Sequence, residues 1–324
     1  MTEGSRRERG SNIREQIDHI KGSSPAMSLA APSTIARLLR EHELRLKKGL
    51  GQHFLCDGNT LKKILATAGP SPDDLIIEPG AGLGTLTLAL APQAGRVIAV
   101  EVDPKLVQIL RENIAASGLN NIEILQQDFL GLDMAELISS SGLSRAKVVG
   151  NIPYKITSPI LEMLMELAEA GGPRPTSAVL MVQSDLAEKL ISPPGPRTSA
   201  LGVQLRAVAD VELIAKVPRT AFFPPPEVDS ALIRLEFLEE PRIEVEPGVF
   251  SRVVRAAFNL RRKTIKQALI RSPFLDLQEE AVLTALEEAV IEPQRRGESL
   301  SLEEFARLAQ AIQIRLLPSG RRQD

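Results

Sequence analysis

Apolar positions along this chain come in two rhythms. Short apolar runs that end in polar or glycine residues read as buried parallel strands: Leu75-Ile76-Ile77, Val97-Ile98-Ala99-Val100, Ile122-Glu123-Ile124-Leu125, Val148-Val149-Gly150 and Ser177 to Gln183. Helical spacing appears over Thr85 to Ala91 and over Thr157 to Ala170, where Ile160, Leu161, Leu164 and Leu167 share a face. Val211 to Val217 and Ser230 to Phe237 predict two last strands, separated by Pro218 to Val228. After Glu240-Pro241 the strand pattern stops, and Val249 to about Leu316 is helical in character. The alternation predicts an α/β doubly wound sheet with a hairpin-like tail end, then a small C-terminal all-helical domain. At the other end, Ile35, Leu38 and Leu39 recur at helical spacing behind a cap at Ser33 or Thr34. Residues 1–32 are rich in Ser, Gly and charge, with a weak amphipathic stretch at Ile13, Ile17 and Ile20, so a disordered extension is expected. Met27 to Ala31 is too short and too late for the apolar core of a signal peptide. The expected division is therefore 1–32, 33–240 and 241–324.

The strand ends carry the chemistry. Glu78-Pro79-Gly80-Ala81-Gly82-Leu83-Gly84 follows the first strand, and its glycines let the backbone turn and approach a ligand closely. Their spacing is not that of the dinucleotide fingerprint, and no Gly-Lys-Ser/Thr follows for a phosphate-binding loop. Glu101 ends the second strand, about twenty positions on, where an acid usually binds a ribose hydroxyl pair. Asp128 ends the third and can take the exocyclic amine of an adenine ring, with Phe129 packing nearby. Each acid alone is an ordinary solvated residue after a strand. Together they describe one crevice at the carboxyl edge of a parallel sheet, with the features of a site for S-adenosylmethionine.

Asn151-Ile152-Pro153-Tyr154 ends the fourth strand. An adenine amino nitrogen is a poor nucleophile because its lone pair is delocalised into the ring. The Asn151 side-chain oxygen and the carbonyl before Pro153 offer two acceptors that can hold both N–H bonds and turn that lone pair toward an electrophile. The Tyr154 ring can stack on a base drawn out of its helix.

Composition adds limits. The 324 residues suffice for a full core and two domains, and no apolar run reaches the ~18 residues of a membrane span. Cys56 is the single cysteine, so there is no disulfide framework and a reducing compartment is expected. His19, His42 and His53 are too scattered for a metal cluster. The formal charge of −2 argues against a generic nucleic-acid binder, but its distribution is uneven. No acid lies between Pro247 and Leu275, a window holding Arg252, Arg255, Arg261, Arg262, Lys263, Lys266 and Arg271. A second basic cluster, Arg45, Lys47 and Lys48, precedes Gly49. Beside a crevice suited to adenine, two such clusters favour a phosphate backbone as partner, with Arg261, Arg262 and Lys263 as the expected RNA contacts.

These segments occur in order with Leu50-Gly51-Gln52-His53-Phe54-Leu55, with Ala221-Phe222-Phe223-Pro224-Pro225-Pro226-Glu227-Val228-Asp229-Ser230, with Ala257-Phe258-Asn259-Leu260-Arg261-Arg262-Lys263-Thr264 and with Arg295 to Phe305. As a set, over about Ser33 to Leu308, they closely resemble the KsgA/RsmA family of ribosomal RNA adenine dimethyltransferases. The resemblance implies a Rossmann-like class I S-adenosylmethionine-dependent methyltransferase sheet and a C-terminal helical RNA-binding domain. It implies N6,N6-dimethylation of two adjacent adenosines in the 3′-terminal hairpin loop of small-subunit (16S) RNA, with S-adenosylmethionine as donor and no metal. It places His53, Leu55, Gly80, Glu101, Asp128 and Asn151 on the cofactor. Tyr154 and Phe222 would sandwich the target adenine, with Asn151 and Pro153 at its amine. The expected partner is small-subunit RNA in an immature ribosomal small subunit, met by a cytoplasmic monomer with no membrane contact.

Three departures from the family pattern stand out. His53 stands where bacterial members usually have Asn, and can still donate to the cofactor carboxylate. Pro79 replaces a common Ile. Arg197 to Gly202 lacks the usual Tyr of a substrate loop. Other readings share parts of the pattern. Resistance-type methyltransferases of large-subunit RNA have the same catalytic half, although the Phe258 to Thr264 segment and the terminal helical stretch argue against them. DNA adenine methyltransferases use similar Asn-Pro-Pro-Tyr loops, but here Ile152 holds the second position. An assembly factor that binds immature small subunits would use the same basic surfaces.

Overall fold

The computed structural model describes residues 25–44, 46, 51–246 and 248–316. The basic cluster Arg45, Lys47 and Lys48, and residues 1–24 of the expected extension, lie outside the described residues. The chain forms two compact units. An α/β unit takes the chain up to Leu164, then Gly172–Ala187 and Glu212–Glu236; a helical unit takes Met165–Gly171, Glu188–Val211 and the chain from Phe237 onward. The helical unit thus draws on two segments that precede the expected boundary at residue 240. A boundary read from sequence assumes contiguous segments, whereas here the chain enters the helical unit three times.

In chain order the elements up to the sheet's last strand are α1 (Pro25–Leu29), α2 (Pro32–Glu41), β1 (Phe54–Leu55), α3 (Gly58–Ala68), β2 (Asp74–Pro79), α4 (Thr85–Leu90), β3 (Arg96–Val100), α5 (Pro104–Ser117), β4 (Ile122–Leu125), α6 (Met134–Ser140), β5 (Arg145–Asn151), α7 (Thr157–Glu169), β6 (Ser177–Gln183), α8 (Ser184–Ile191), α9 (Ala200–Val208), β7 (Ala209–Val217), β8 (Phe222–Phe223) and β9 (Ser230–Phe237). Seven of the strands form one sheet in the order β4-β3-β2-β5-β6-β9-β7. From β4 to β6 the pairing is parallel, and β9 runs antiparallel to β6 with Gln183 opposite Ser230. Leu75, Ile76 and Ile77 of the central β2 have no exposed surface, as strands covered on both faces require. The chain runs outward from β2 through β3 to β4, then returns to start again at β5. That reversal makes the β2–β5 boundary a topological switch point, where a crevice opens beyond the strand ends. Side-chain caps sharpen the helix starts: Asp57 accepts from Thr60 N at 2.6 Å and Asp103 from Lys105 N at 3.1 Å.

Two features differ from expectation. Residues 25–30, expected to belong to the extension, are structured: Pro25–Leu29 is helical, and Ala26, Leu29 and Ala30 are buried in the same core as Leu61 and Leu90. A helix of five residues is too short to show a helical period in the sequence. Second, β1 and β8 pair antiparallel, Phe54 with Phe223 and Leu55 with Phe222, as a separate two-stranded sheet. Two-residue strands leave no periodic trace in a sequence.

Within the helical unit, α10 (Val249–Asn259), α11 (Ile265–Ile270), α12 (Glu279–Glu288) and α13 (Leu302–Leu316) pack around Val253, Leu269, Leu286 and the fully buried Phe305. Arg295 pairs with Glu304, whose carboxylate also accepts from Ser301 N at 2.8 Å at the start of α13. Among the described residues no helix is long and apolar enough to cross a membrane.

Candidate active site

A cavity of about 280 Å³ opens at the carboxyl ends of β2, β3, β4 and β5, lined in part by Gln52, His53, Leu55, Gly80, Glu101, Val102, Asp128, Asn151 and Pro153. Every one of these residues belongs to the α/β unit. The glycine loop brings the walls together. Gly80 has φ +69°, and a Cβ there would stand 3.3 Å from Pro153 Cδ. Gly82 has φ +58°, and a Cβ would stand 3.3 Å from the Phe54 ring. Both positions need glycine for the turn and for the close approach.

Glu101 is held by main chain. Its Oε2 accepts from Gly82 N, and its Oε1 from Val102 N and Asp103 N, each at 2.9 Å. A carboxylate offers about four lone-pair directions, so roughly one remains, on the oxygen that faces Gly82. That leaves Oε2 able to accept from ribose. Burial pushes the Glu101 carboxyl above its usual range, with the three N–H bonds opposing and Asp103 adding to the rise. Asp128 is exposed and accepts from Leu130 N at 3.0 Å through Oδ1, leaving Oδ2 open for an amine. Val102, half exposed, and the buried Phe129 also line the cavity. Apolar lining together with an acid for a hydroxyl and an acid for an amine fits an adenosyl group.

Sequence reasoning passed over Glu78. It is buried, lines the cavity, and accepts from the Thr87 hydroxyl at 2.5 Å. Burial pushes its carboxyl up to about 8; the Thr87 bond opposes the rise and the Glu101 charge adds to it. Its position within the glycine segment was its only signal. Lys155 was passed over as well, an exposed cation on the cavity wall beside Tyr154.

The fourth strand end brings its residues to the same place. Asn151 Nδ2 donates to the main-chain oxygen of His53 at 2.9 Å. A carbonyl can only accept, so the nitrogen faces His53 and Oδ1 is left to accept a hydrogen bond from a substrate amine. Tyr154 is half-buried, with its hydroxyl 2.7 Å from Ser230 Oγ and its ring 6.2 Å from that of His53 at an interplanar angle of 27°. Burial pushes its phenol upward.

One expected role is corrected. Phe222 is 2 % exposed and sits in the hydrophobic core, so its ring offers no open face to a base. The reason is strand alternation: Phe222 turns inward opposite Leu55, while Phe223 is half-buried against the cluster that holds Phe54 and Leu83. His53 Nδ1 lies 2.8 Å from the Pro224 oxygen, so its proton sits on Nδ1 and Nε2 is an acceptor in the neutral ring. The main-chain oxygen of His53 serves Asn151.

In the helical unit, Arg262 and Lys263 are exposed on the acid-free segment. Arg261 is exposed too, but its guanidinium donates to Pro196 O at 2.9 Å and pairs with Glu298 at 3.4 Å. The 191–199 loop is pinned at further points: Gly195 N donates to Glu298 O, and the buried Thr198 donates through its hydroxyl to Ser192 O. Arg206 donates to Leu190 O and Ser192 O.

The sequence model described as ribosomal RNA adenine dimethylase matches residues 43–313. The chain belongs to this family. Proteins named ribosomal RNA small subunit methyltransferase A are close relatives: that of Halothermothrix orenii is 38 % identical, over 88 % of this chain and 94 % of its own. That of Moorella thermoacetica is 40 % identical, over 88 % of this chain and 99 % of its own. Among solved structures, a dimethyladenosine transferase from Plasmodium falciparum is 25 % identical with a TM-score of 0.67, covering 79 % of this chain and 96 % of that one. The 23S rRNA methyltransferase ErmE is 29 % identical with a TM-score of 0.58, covering 80 % and 98 %. As a member of the ribosomal RNA adenine dimethylase family, the protein is an S-adenosylmethionine-dependent methyltransferase of α/β class I fold. The residues around the cavity fit that cofactor.

Proposed function

We propose that this chain dimethylates N6 of two adjacent adenosines in the 3′-terminal hairpin loop of 16S RNA, acting in the cytoplasm as a monomer on an immature small subunit. The observation that carries the chemistry is the orientation of Asn151, whose amide nitrogen is tied to His53 O and whose oxygen is thereby free for an amine. The relatives named for the small subunit, at 38–40 % identity over nearly their full length, favour that RNA over the large-subunit RNA of ErmE.

S-adenosylmethionine supplies a methyl group already activated on a positively charged sulfur. Glu101 takes a ribose hydroxyl, Asp128 the adenine amine, and Val102 the ring face. Asn151 Oδ1 and the carbonyl of Ile152 accept the two N–H bonds of the target amine and aim its lone pair, while Tyr154 stacks on the base. Pro153 packs its ring against the glycine loop at Gly80. No general base is required, because the nitrogen becomes acidic once methylated and loses its proton to water. The work of these residues is positioning, together with hydrogen bonds that strengthen as charge develops on nitrogen. A second methylation proceeds with one N–H left, which either acceptor can hold. Arg262 and Lys263 supply phosphate contacts.

Methyl transfer from labelled S-adenosylmethionine to immature small subunits, naked small-subunit RNA, large-subunit RNA and DNA, run in parallel, tests the proposal. Label on two adjacent adenosines of the small-subunit RNA is the expected result. Preference for large-subunit RNA or DNA would overturn it.

A further inference from the structure

Ser230 begins β9 and has no exposed surface, yet its hydroxyl lies 2.7 Å from the Tyr154 hydroxyl across 76 positions of sequence. Either hydroxyl can donate, and the geometry is the same in both cases. The serine is rigidly placed: its strand lies between β6 and β7 in the large sheet, with Ser230 in register opposite Gln183. Tyr154 is held quite differently. Its backbone is fixed by Pro153 on one side and by the 3-10 turn Tyr154–Ile156 on the other, but a long aromatic side chain retains torsional freedom. The hydroxyl tether removes that freedom from the far end of the ring.

We propose that Ser230 is a positioning residue for the target base: by holding the Tyr154 hydroxyl it fixes the plane of the ring on which the adenine stacks. This rests on the reading of Tyr154 as the stacking residue. A ring anchored at both ends keeps its face available at the crevice and keeps its distance from His53. The extruded base then meets a surface already in place, and no ordering of the ring is needed as it binds. With Phe222 enclosed in the core, Tyr154 is left as the aromatic face on which base orientation depends, so a loose tyrosine has a direct effect on the attack geometry.

The composition provides a reporter. Tyr154 is the one tyrosine of the chain and there is no tryptophan, so the tyrosine fluorescence of the RNA-free protein reports on Tyr154 alone. Losing one hydrogen bond in Ser230→Ala should lower the single-turnover methylation rate on small subunits about tenfold. It should also change the tyrosine spectrum and leave S-adenosylmethionine affinity within about twofold. Tyr154→Phe, which keeps the ring and removes the bond from the other side, should lose a similar factor. The doubly substituted protein should lose no more than either single variant, since both remove the same interaction. Losses that multiply would make Ser230 merely structural and overturn the proposal. So would a folded Ser230→Ala protein with a wild-type rate and spectrum. If Ser230→Ala fails to fold, Tyr154→Phe decides alone, and a wild-type rate there sinks the idea. Tyr154→Ala separates the two levels: a wild-type rate would remove the stacking role itself, whereas impairment there with no effect of Ser230→Ala removes only the role of the serine.

Discussion

The two sides of the crevice are built by different means. On the cofactor side, Glu101 is held by main-chain N–H groups of Gly82, Val102 and Asp103, all within nineteen positions of it. On the base side, Asn151 is held by His53, 98 positions away, Tyr154 by Ser230, 76 away, and the His53 ring by Pro224, 171 away. The anchoring of Glu101 is local to one strand–helix–strand segment. The base side exists only once β1 has met β8 and β9 has joined the sheet. Changes in remote segments should therefore damage base handling while sparing cofactor binding.

The largest expected effect lies on the base side. Asn151→Ala removes an acceptor for the amine and should lower the single-turnover rate roughly 100- to 1000-fold. RNA affinity should stay nearly unchanged, because phosphate contacts dominate it. Binding isotherms set beside the rates check this; a parallel collapse of both would make Asn151 a binding residue.

On the cofactor side, Glu78 should make stability depend on pH. Its carboxyl is raised from 4.5 to about 8 in the folded chain, so the folded state holds a proton that the unfolded state has released between those values. This contribution is full below the unfolded value and is lost as pH rises through the folded one. Its size is on the order of a few kcal/mol. Denaturation of the cofactor-free protein between about pH 5 and about pH 9 should show the decline, and Glu78→Gln should flatten it. An equally steep decline in the variant would assign the slope to other groups.

Glu101→Ala loses charge-assisted hydrogen bonds and should weaken S-adenosylmethionine binding by roughly 1.5–3 kcal/mol by calorimetry. Unchanged affinity in the folded variant would take Glu101 out of the cofactor site.

Smaller still is the effect of the helical unit. Neutralising Arg262 and Lys263 should flatten the logarithmic salt dependence of RNA binding by about one to two, with cofactor affinity unaltered. Arg261→Ala should leave that slope nearly intact and speed hydrogen exchange in the 191–199 loop, since its guanidinium is bound to Pro196 O. Equal slope changes from all three would mean that Arg261 releases its loop to meet RNA.

The same contrast explains what could be read from sequence. The central strands were legible because Leu75 to Ile77 and Val97 to Val100 are continuous apolar runs, and Gly80 and Gly82 because their turn excludes other residues. The positions of Glu101 and Asp128 followed from strand ends alone. The burial of Phe222 did not, because two adjacent phenylalanines in a two-residue strand do not say which one turns inward. Nor did the bond between His53 and Pro224, which depends on that same pairing. The bounds of the helical unit escaped because Glu188–Val211 joins it from the middle of the α/β pattern. Local chemistry was written in local sequence, and contacts made across the chain were not.

Two variants measured two ways test the separation most directly. Cofactor affinity by calorimetry and the single-turnover rate at saturating cofactor should be determined for Glu101→Ala and Tyr154→Ala. Glu101→Ala should weaken affinity about 10- to 100-fold with the saturated rate within about threefold of wild type. Tyr154→Ala should leave affinity within about twofold and lower the rate tenfold or more, roughly the value of one stacked base. Equal losses of cofactor affinity in both variants would contradict the account, for the two sides of the crevice would then be a single coupled structure.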